Sequence, residues 1–581
     1  MRGRRRVRFG IAAIAALAIS WALVMHAMGW GQLASYGQVR ALADGRAEID
    51  RWHWETKDKA YIDGHFYSVK APGLALATLP VFLALDATRA QDTADRAAAN
   101  VRRTQDPRWR PFAEPPYSEH GYSAARAERF NTSVENGTPI VWALALAGAL
   151  VPALVLLLLV RAIGDRIAPG FGTLAALTLG LASMVMVFAS EYFPHVAAAT
   201  LGFAAFAVLF RERRGPPRPA LLAAAGLLAG LGVSFEYPIG LLGVILFAYA
   251  LTRPAGEPGA AASRNRMIRG AAYGAGALLG AAPVLAFNQW AFGSPLQFAY
   301  GDAVAVQGLD GHAVLGLNDG GFFGISVPSP GAALDLLLSG RGLLVLTPIV
   351  AMAAAGVAAM RRGPHRAEAN VIIAVAVAYL LYNAGYWLPF GGGTPGPRFL
   401  IPMLPFLGLG LAVAWRRWPA QTLGLAIPSA LFMLSAALTH PLIGEEATAT
   451  WAERLWRGEL EHTLLTAFGV RDAWLAVAPV LVATAAAVAF AAASAPHMRV
   501  GEVRGALGLV AAWSAVAVLG PAIAGDPETP LSGGEATLTL IAAGALCSAL
   551  VLCLLRFRER RSGSRTELVD DHVSAALASQ G

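Results

Sequence analysis

The sequence predicts an all-α polytopic membrane protein of about 14 transmembrane helices, with a long first external loop carrying juxtamembrane helices. Three observations predict it. The 581 residues are 56% hydrophobic and 14% charged, with a mean hydropathy of +0.51, the composition of a chain that lives largely in lipid. Apolar stretches of about 20 residues recur along the chain, each long enough to cross a core of about 30 Å as a helix. Arginines gather in every second connection, the alternation that the positive-inside rule demands.

The basic N-terminus, with Arg2 and Arg4–Arg6, precedes a first span at 9–30. No small-x-small cleavage pattern clearly ends that span, so it reads as a retained helix rather than a signal peptide. Residues 31–138 then form one outside loop. Within it, LASYGQVRALADG predicts a helix lying on the membrane, with Leu33, Tyr36, Val39 and Leu42 on one face. The segment 71–86 is apolar but short, with Pro80 near its middle. A run of that length is interfacial or re-entrant, and counting it as a span would put every later basic loop outside. A polar stretch rich in Pro, Arg and Glu closes the loop.

Further spans follow at 139–160, 167–189, 192–210, 219–235, 237–252, 268–290, 342–360, 368–388, 399–415, 419–438, 473–493, 505–524 and 535–555. The basic connections hold Arg161 and Arg166, Arg211 to Arg218, Arg253 to Arg269, Arg361, Arg362 and Arg366, Arg416 and Arg417, Arg499 and Arg504, and Arg556 to Arg561. These face the cytoplasm, which puts both termini inside a cytoplasmic (inner) membrane. Two more outside loops are sizeable. One spans about 291–341 and carries the turn-rich GLNDGGFFGISVPSPG; the other, 439–472, carries an amphipathic helix. The tail past Arg561 is polar and reads as disordered. The expected organisation is a module over 1–415, further membrane helices over 416–555 and a cytoplasmic tail over 556–581. Because the arginines flank apolar spans, the formal charge of +8 is not a nucleic-acid signal. Cys547 and Cys553 both fall in the last span, too far round the helix from each other for a disulfide.

One stretch departs from the apolar background. In EIDRWHWETKDKAYIDGHFYSVKAPG, residues 48–73, Asp50, His53, Glu55, Lys57, Asp58, Lys59, Asp63, His65 and Lys70 interleave with Trp52, Trp54, Tyr61, Phe66 and Tyr67. Acids, cations and aromatics crowded at a membrane surface suit a charged, sugar-like or phosphate-bearing ligand; the plainer reading is a solvated loop. Asp63-Gly64 reads as a turn, with Asp63 as a catalytic acid the alternative. His195 and Glu236 stand at the outer ends of apolar spans. No His-Glu-x-x-His helix or cysteine cluster supports a metal centre.

FYSVKAPGLALATLP, GTPGPRFLIPMLPFL at 393–407, SEYFPHVAAATLGF and SFEYPIGLL resemble, in order and sidedness, elements of the GT-C superfamily of polytopic glycosyltransferases. The style is nearest to bacterial dolichyl-phosphate-mannose protein mannosyltransferase-like and aminoarabinose transferase-like proteins. The resemblance covers roughly residues 1–415 and implies a polyprenyl-phosphate sugar donor and a lipid, glycan or protein acceptor outside the cytoplasm. It implies phosphate binding by Lys70, at the aromatic–Lys–Pro match, and by Arg398. Lys57, Lys59, His65, Tyr67, His195 and Glu236 are further substrate-binding candidates. Such proteins usually carry an acid just after the first helix, whereas GWGQLASYGQVRAL has none, so Asp58 or Asp50 is expected to be the base. A divalent cation bridging an aspartate and the phosphate is compatible with this chemistry. The rival readings are a transporter or flippase of lipid-linked material and a non-catalytic scaffold. Against the first, no internal symmetry is visible and charges avoid the span centres.

Overall fold

The computed structural model describes residues 2–104, 109, 123–213, 218–252, 260–303, 324–442, 447–496, 498, 501–526, 530 and 535–578. GLNDGGFF, the first half of GLNDGGFFGISVPSPG, and part of the polar end of the first loop lie outside the described residues. The protein is an all-α polytopic membrane protein. Among the described residues, nine helices are long and apolar enough to cross a membrane, or eleven if each of two bent pairs is one span.

Helix α1 (Arg2–Ala22) ends well before residue 30. Its continuation turns extended: Val24 bridges Thr463 and the Met25 amide donates to the His462 carbonyl at 2.9 Å. Helix α2 (Trp30–Ala43) does not lie on the membrane by one face, because Gly31 to Val39 are buried on every side. Its polar groups find internal acceptors: Ser35 donates to the Gly31 carbonyl at 3.2 Å and Gln38 to the Lys70 carbonyl at 3.5 Å.

The charged run is partly a β-hairpin rather than an irregular loop. Strands β1 (Lys59–Ile62) and β2 (His65–Ser68) pair antiparallel, with Ala60 opposite Tyr67. Asp63 and Gly64 join them at φ of 49° and 90°, the two positive angles of a type I′ turn. His53 stacks on Phe66 at 4.0 Å between centroids. Burial and then the nearby Lys59 charge depress its pKa to about 4. The unfolded ring titrates near 6.5, so between these values the unfolded chain binds the extra proton and stability falls as pH drops. Thermal denaturation from pH 7 to pH 4 should therefore show a loss that the His53→Phe variant lacks; parallel curves would contradict this.

Helices α3 (Gly73–Ala87) and α4 (Ala90–Arg102) meet at 88°, a bent pair rather than a straight crossing. Helix α5 (Ala124–Ala145) runs through a π-type turn at Leu146–Leu150 into α6 (Val151–Ile167), so this span begins inside the segment read as loop. The span expected at 167–189 is broken into α7 (Gly172–Leu181) and the single turn α8 (Val185–Phe188). Then come α9 (His195–Glu212), α10 (Pro219–Phe235), α11 (Ile239–Leu251) and α12 (Ala260–Phe292). Helices α10 and α12 touch through glycines. A Cβ on Gly226, Gly230, Gly276 or Gly280 would come within 1.9–2.2 Å of a carbonyl oxygen of the facing helix. Arg269 of α12, read as a loop arginine, is buried and holds both Glu212 oxygens at 2.6 Å.

Helices α13 (Pro330–Leu338) and α14 (Leu343–Leu346) bend by 89° into α15 (Ile349–Arg361), with Pro348 at the corner. After α16 (Arg366–Gly385), a 3-10 stretch Arg398–Met403 leads into α17 (Leu404–Arg417). The remainder is α18 (Pro419–Thr439), α19 (Ala447–Arg457), α20 (Leu464–Ala467), α21 (Ala473–Ser494), α22 (Val503–Ala524) and α23 (Glu535–Ala578). Helix α19 is the expected amphipathic helix: Trp451 is buried and Trp456 exposed. Helix α23 runs to Ala578, with Arg556 paired to Glu559 one turn on.

Candidate active site

Four of the sequence candidates meet in one pocket. It accommodates about 40 Å³, room for a few water-sized groups, and its polar lining is Lys70, His195, Glu236, Tyr237, Tyr300 and Arg398. Each arrives for a local reason. Lys70 leaves β2 just before the Pro72 that starts α3. Gly73 lets that turn press on the end of α10, where a Cβ would sit 2.4 Å from the Ser234 carbonyl. Glu236 ends α10 at the tight turn into α11, and His195 opens α9 after Pro194. Arg398 opens the 3-10 stretch before α17.

The charges are arranged in pairs. Lys70 Nζ lies 2.6 Å from Asp58 Oδ2, both side chains largely buried. His195 Nδ1 lies 3.0 Å from Glu236 Oε1. Burial opposes ionisation of Glu236. The adjacent His195 and its hydrogen bond, with the Lys70 and Arg398 cations, outweigh this and hold the carboxyl below its usual range. Among the described residues, His195 Nε2 is buried with no hydrogen-bond partner. Arg398 Nε is likewise buried without an acceptor, its guanidinium 5.3 Å from the centres of both Phe193 and Phe399. Buried donors and acceptors are normally satisfied, so these two atoms mark where a polar ligand group fits.

The loop GGGTPGP shapes the arginine. Gly391 has φ of 80°, and a Cβ there would stand 2.6 Å from Arg398 Nε. Arg341 donates to the Gly392 carbonyl at 2.9 Å and stacks over Phe390, pinning the loop. Gly391→Ala should therefore displace Arg398 and weaken phosphate-ligand affinity by about tenfold or more, from a strain of 1–3 kcal/mol. Titration of the purified variant checks this; unchanged affinity would contradict it.

Beside the pocket runs an aromatic groove of about 280 Å³, lined by Glu236, Tyr237, Pro238, Leu241, Tyr300, Ile325, Tyr382, Tyr386 and Phe399. The two cavities share Glu236, Tyr237, Tyr300 and Phe399. The Tyr300 and Tyr386 hydroxyls hydrogen-bond each other at their rim. A charged pocket opening onto an apolar groove suits an amphiphile with an anionic head.

The other candidates sit elsewhere. Asp50 lies outside the pocket: its Oδ2 holds His65 Nδ1 at 2.7 Å and its Oδ1 accepts from the Phe66 amide at 2.7 Å, both side chains substantially exposed. The hydrogen bond and charge of Asp50 raise the His65 pKa. Lys59 is buried and donates to the His53 carbonyl at 2.9 Å, and Tyr67 donates to the Ala291 carbonyl at 3.3 Å, so both hold the hairpin. Lys57 lies over the Trp30 ring, 5.3 Å from its centre. Among the described residues no group of three or more His, Cys, Asp and Glu is placed to hold a metal ion.

Sequence reasoning missed Tyr300, Tyr386, Gln32 and Glu191. Gln32, from the early region that lacks an acid, donates to the buried Glu191. Burial, with Glu461 nearby, raises the Glu191 carboxyl well above its usual range. The one available signal for Glu191 was its place beside His195 in SEYFPH.

No family model and no curated protein matches the sequence. Two solved structures are similar. ArnT from Cupriavidus metallidurans bound to undecaprenyl phosphate is 15% identical with a TM-score of 0.41, covering 94% of this chain and 87% of that one. The same protein in its apo state is 13% identical with a TM-score of 0.37, covering 92% and 83%.

Proposed function

We propose that this chain is a membrane glycosyltransferase that moves a sugar from a polyprenyl-phosphate-linked donor to a lipid, glycan or protein acceptor outside the cytoplasmic membrane. The observation that carries the reading is the meeting of Lys70, Arg398 and Glu236 in one pocket beside an aromatic groove, with Asp58 paired to Lys70. Two cations suit a phosphate leaving group, and the guanidinium of Arg398 offers it paired donors. The groove suits the apolar part of a lipid-linked sugar, with its rings available for stacking.

In the proposed reaction the acceptor oxygen attacks the anomeric carbon and the bond from that carbon to the phosphate oxygen breaks. The electron pair leaves on the phosphate, where Lys70 and Arg398 neutralise it. Asp58 takes the acceptor proton. Asp58 is engaged by Lys70 at 2.6 Å. A donor phosphate competes for the same ammonium, so donor binding releases the base for its task. A second reading of the base is favoured by one observation. His195, backed by Glu236 through Nδ1, has an unpartnered Nε2 in the same pocket.

Binding is the first test. A long-chain polyprenyl phosphate should bind the purified protein with clearly higher affinity than inorganic phosphate, and Leu241→Trp in the groove should erase that difference. Equal, weak binding of both ligands would remove the support for a lipid-linked donor.

A further inference from the structure

A second cavity lies away from this pocket, between α15 and α16. It holds about 500 Å³, within the range of ligand sites. Its walls are apolar, with Val357 on α15, Ile372, Ile373 and Val377 on α16, and Leu407 of α17 among the lining residues. Ala354 and Ala358, one turn apart on α15, leave the space that larger side chains would fill. At one end the lining changes to Arg361, Arg362 and Arg366, on the loop that the positive-inside rule assigns to the cytoplasm.

Among the described residues these arginines have no hydrogen-bond or ion-pair partner. Among the described residues none is paired with a carboxylate, and the nearby Glu368 is already engaged by His365 at 3.7 Å and by the Tyr249 hydroxyl at 2.8 Å. Arg361 and Arg362 end α15, where a cation suits the helix dipole. Arg366 does not share that explanation. It opens α16, at the positive end of the helix, where the acid of the first turn, Glu368, is already held by His365 and Tyr249.

We infer that this groove is a binding site for an anionic phospholipid, its phosphate held by Arg361, Arg362 and Arg366 and an acyl chain laid between α15 and α16. Charge complementarity selects the occupant. Three cations at the mouth of an apolar slot match a phosphate carried on a hydrocarbon chain, and match neither a zwitterionic lipid nor a free anion as well. The site is independent of the sugar-transfer reading.

The test compares the retention of phosphatidylglycerol and phosphatidylcholine by the purified full-length chain, read by native mass spectrometry. Three proteins are needed: wild type, the triple Arg361→Gln, Arg362→Gln, Arg366→Gln variant, and Ala358→Phe. The last fills the groove and keeps every charge, including those that set topology. Wild type should prefer phosphatidylglycerol by roughly tenfold or more, and both variants should lose the preference. Equal preference in all three proteins would overturn the inference. So would loss in the arginine variant alone, which would mean surface charge without a groove, or competition by glycerol phosphate as strong as by the lipid.

Discussion

Replacing Arg398 with alanine is expected to abolish sugar transfer while leaving the protein folded. The side chain stands at the start of the 3-10 stretch, and its Nε has no acceptor among the described residues. Removing it therefore leaves no buried carboxylate unpaired. Glu236 keeps His195 at 3.0 Å and Asp58 keeps Lys70 at 2.6 Å. What is lost is a pair of charge-assisted hydrogen bonds to a leaving phosphate, whose demand grows as the anomeric bond breaks. Losing electrostatic stabilisation of this kind lowers turnover by about 10²–10³-fold. Steady-state kinetics beside a thermal denaturation curve check the claim. Unchanged activity in a folded variant would remove Arg398 from the site.

Asp58→Asn should separate binding from chemistry. The amide keeps the shape but takes no proton, and loss of a general base lowers turnover by about 10²–10⁴-fold. Phosphate affinity should hold or rise, because Lys70 is no longer engaged by a carboxylate. The matched variant is His195→Gln. If Asp58 is the base, His195→Gln retains transfer within a few-fold and its rate keeps the wild-type pH profile. If the His195–Glu236 pair is the base, the pattern reverses: His195→Gln is inactive and Asp58→Asn is active.

Much of this site was legible in the sequence because polar residues at the ends of apolar spans are few. Lys70, His195, Glu236 and Arg398 each stood out that way, and the fold brings all four to one pocket. Asp50 and His65 lie outside that pocket, because density along a chain does not reveal direction. Once residues 59–68 pair as a hairpin, side chains alternate between faces, and Asp50 caps the exposed side through His65 and the Phe66 amide. Tyr300 and Tyr386 were invisible because they come from separate connections and meet only through the tertiary fold.

The fold class followed from composition and from the arginine alternation, but the helix breaks did not. Apolar residues continue on both sides of the break between α7 and α8, so hydropathy carries no signal there. The corner before α15 did carry one, in Pro348. Helix α2 was misread for a related reason. Leu33, Tyr36 and Val39 form the stripe of a surface helix, yet Gln32, Ser35 and Gln38 opposite them are buried on internal hydrogen-bond partners.

The most direct measurement is sugar transfer by the purified protein from a panel of polyprenyl-phosphate-linked sugars, with product and released polyprenyl phosphate quantified by mass spectrometry. The account predicts that at least one donor is consumed, with equal amounts of glycosylated acceptor and free polyprenyl phosphate, and that Arg398→Ala abolishes both. No consumption of any donor, together with no binding of polyprenyl phosphate, would contradict it.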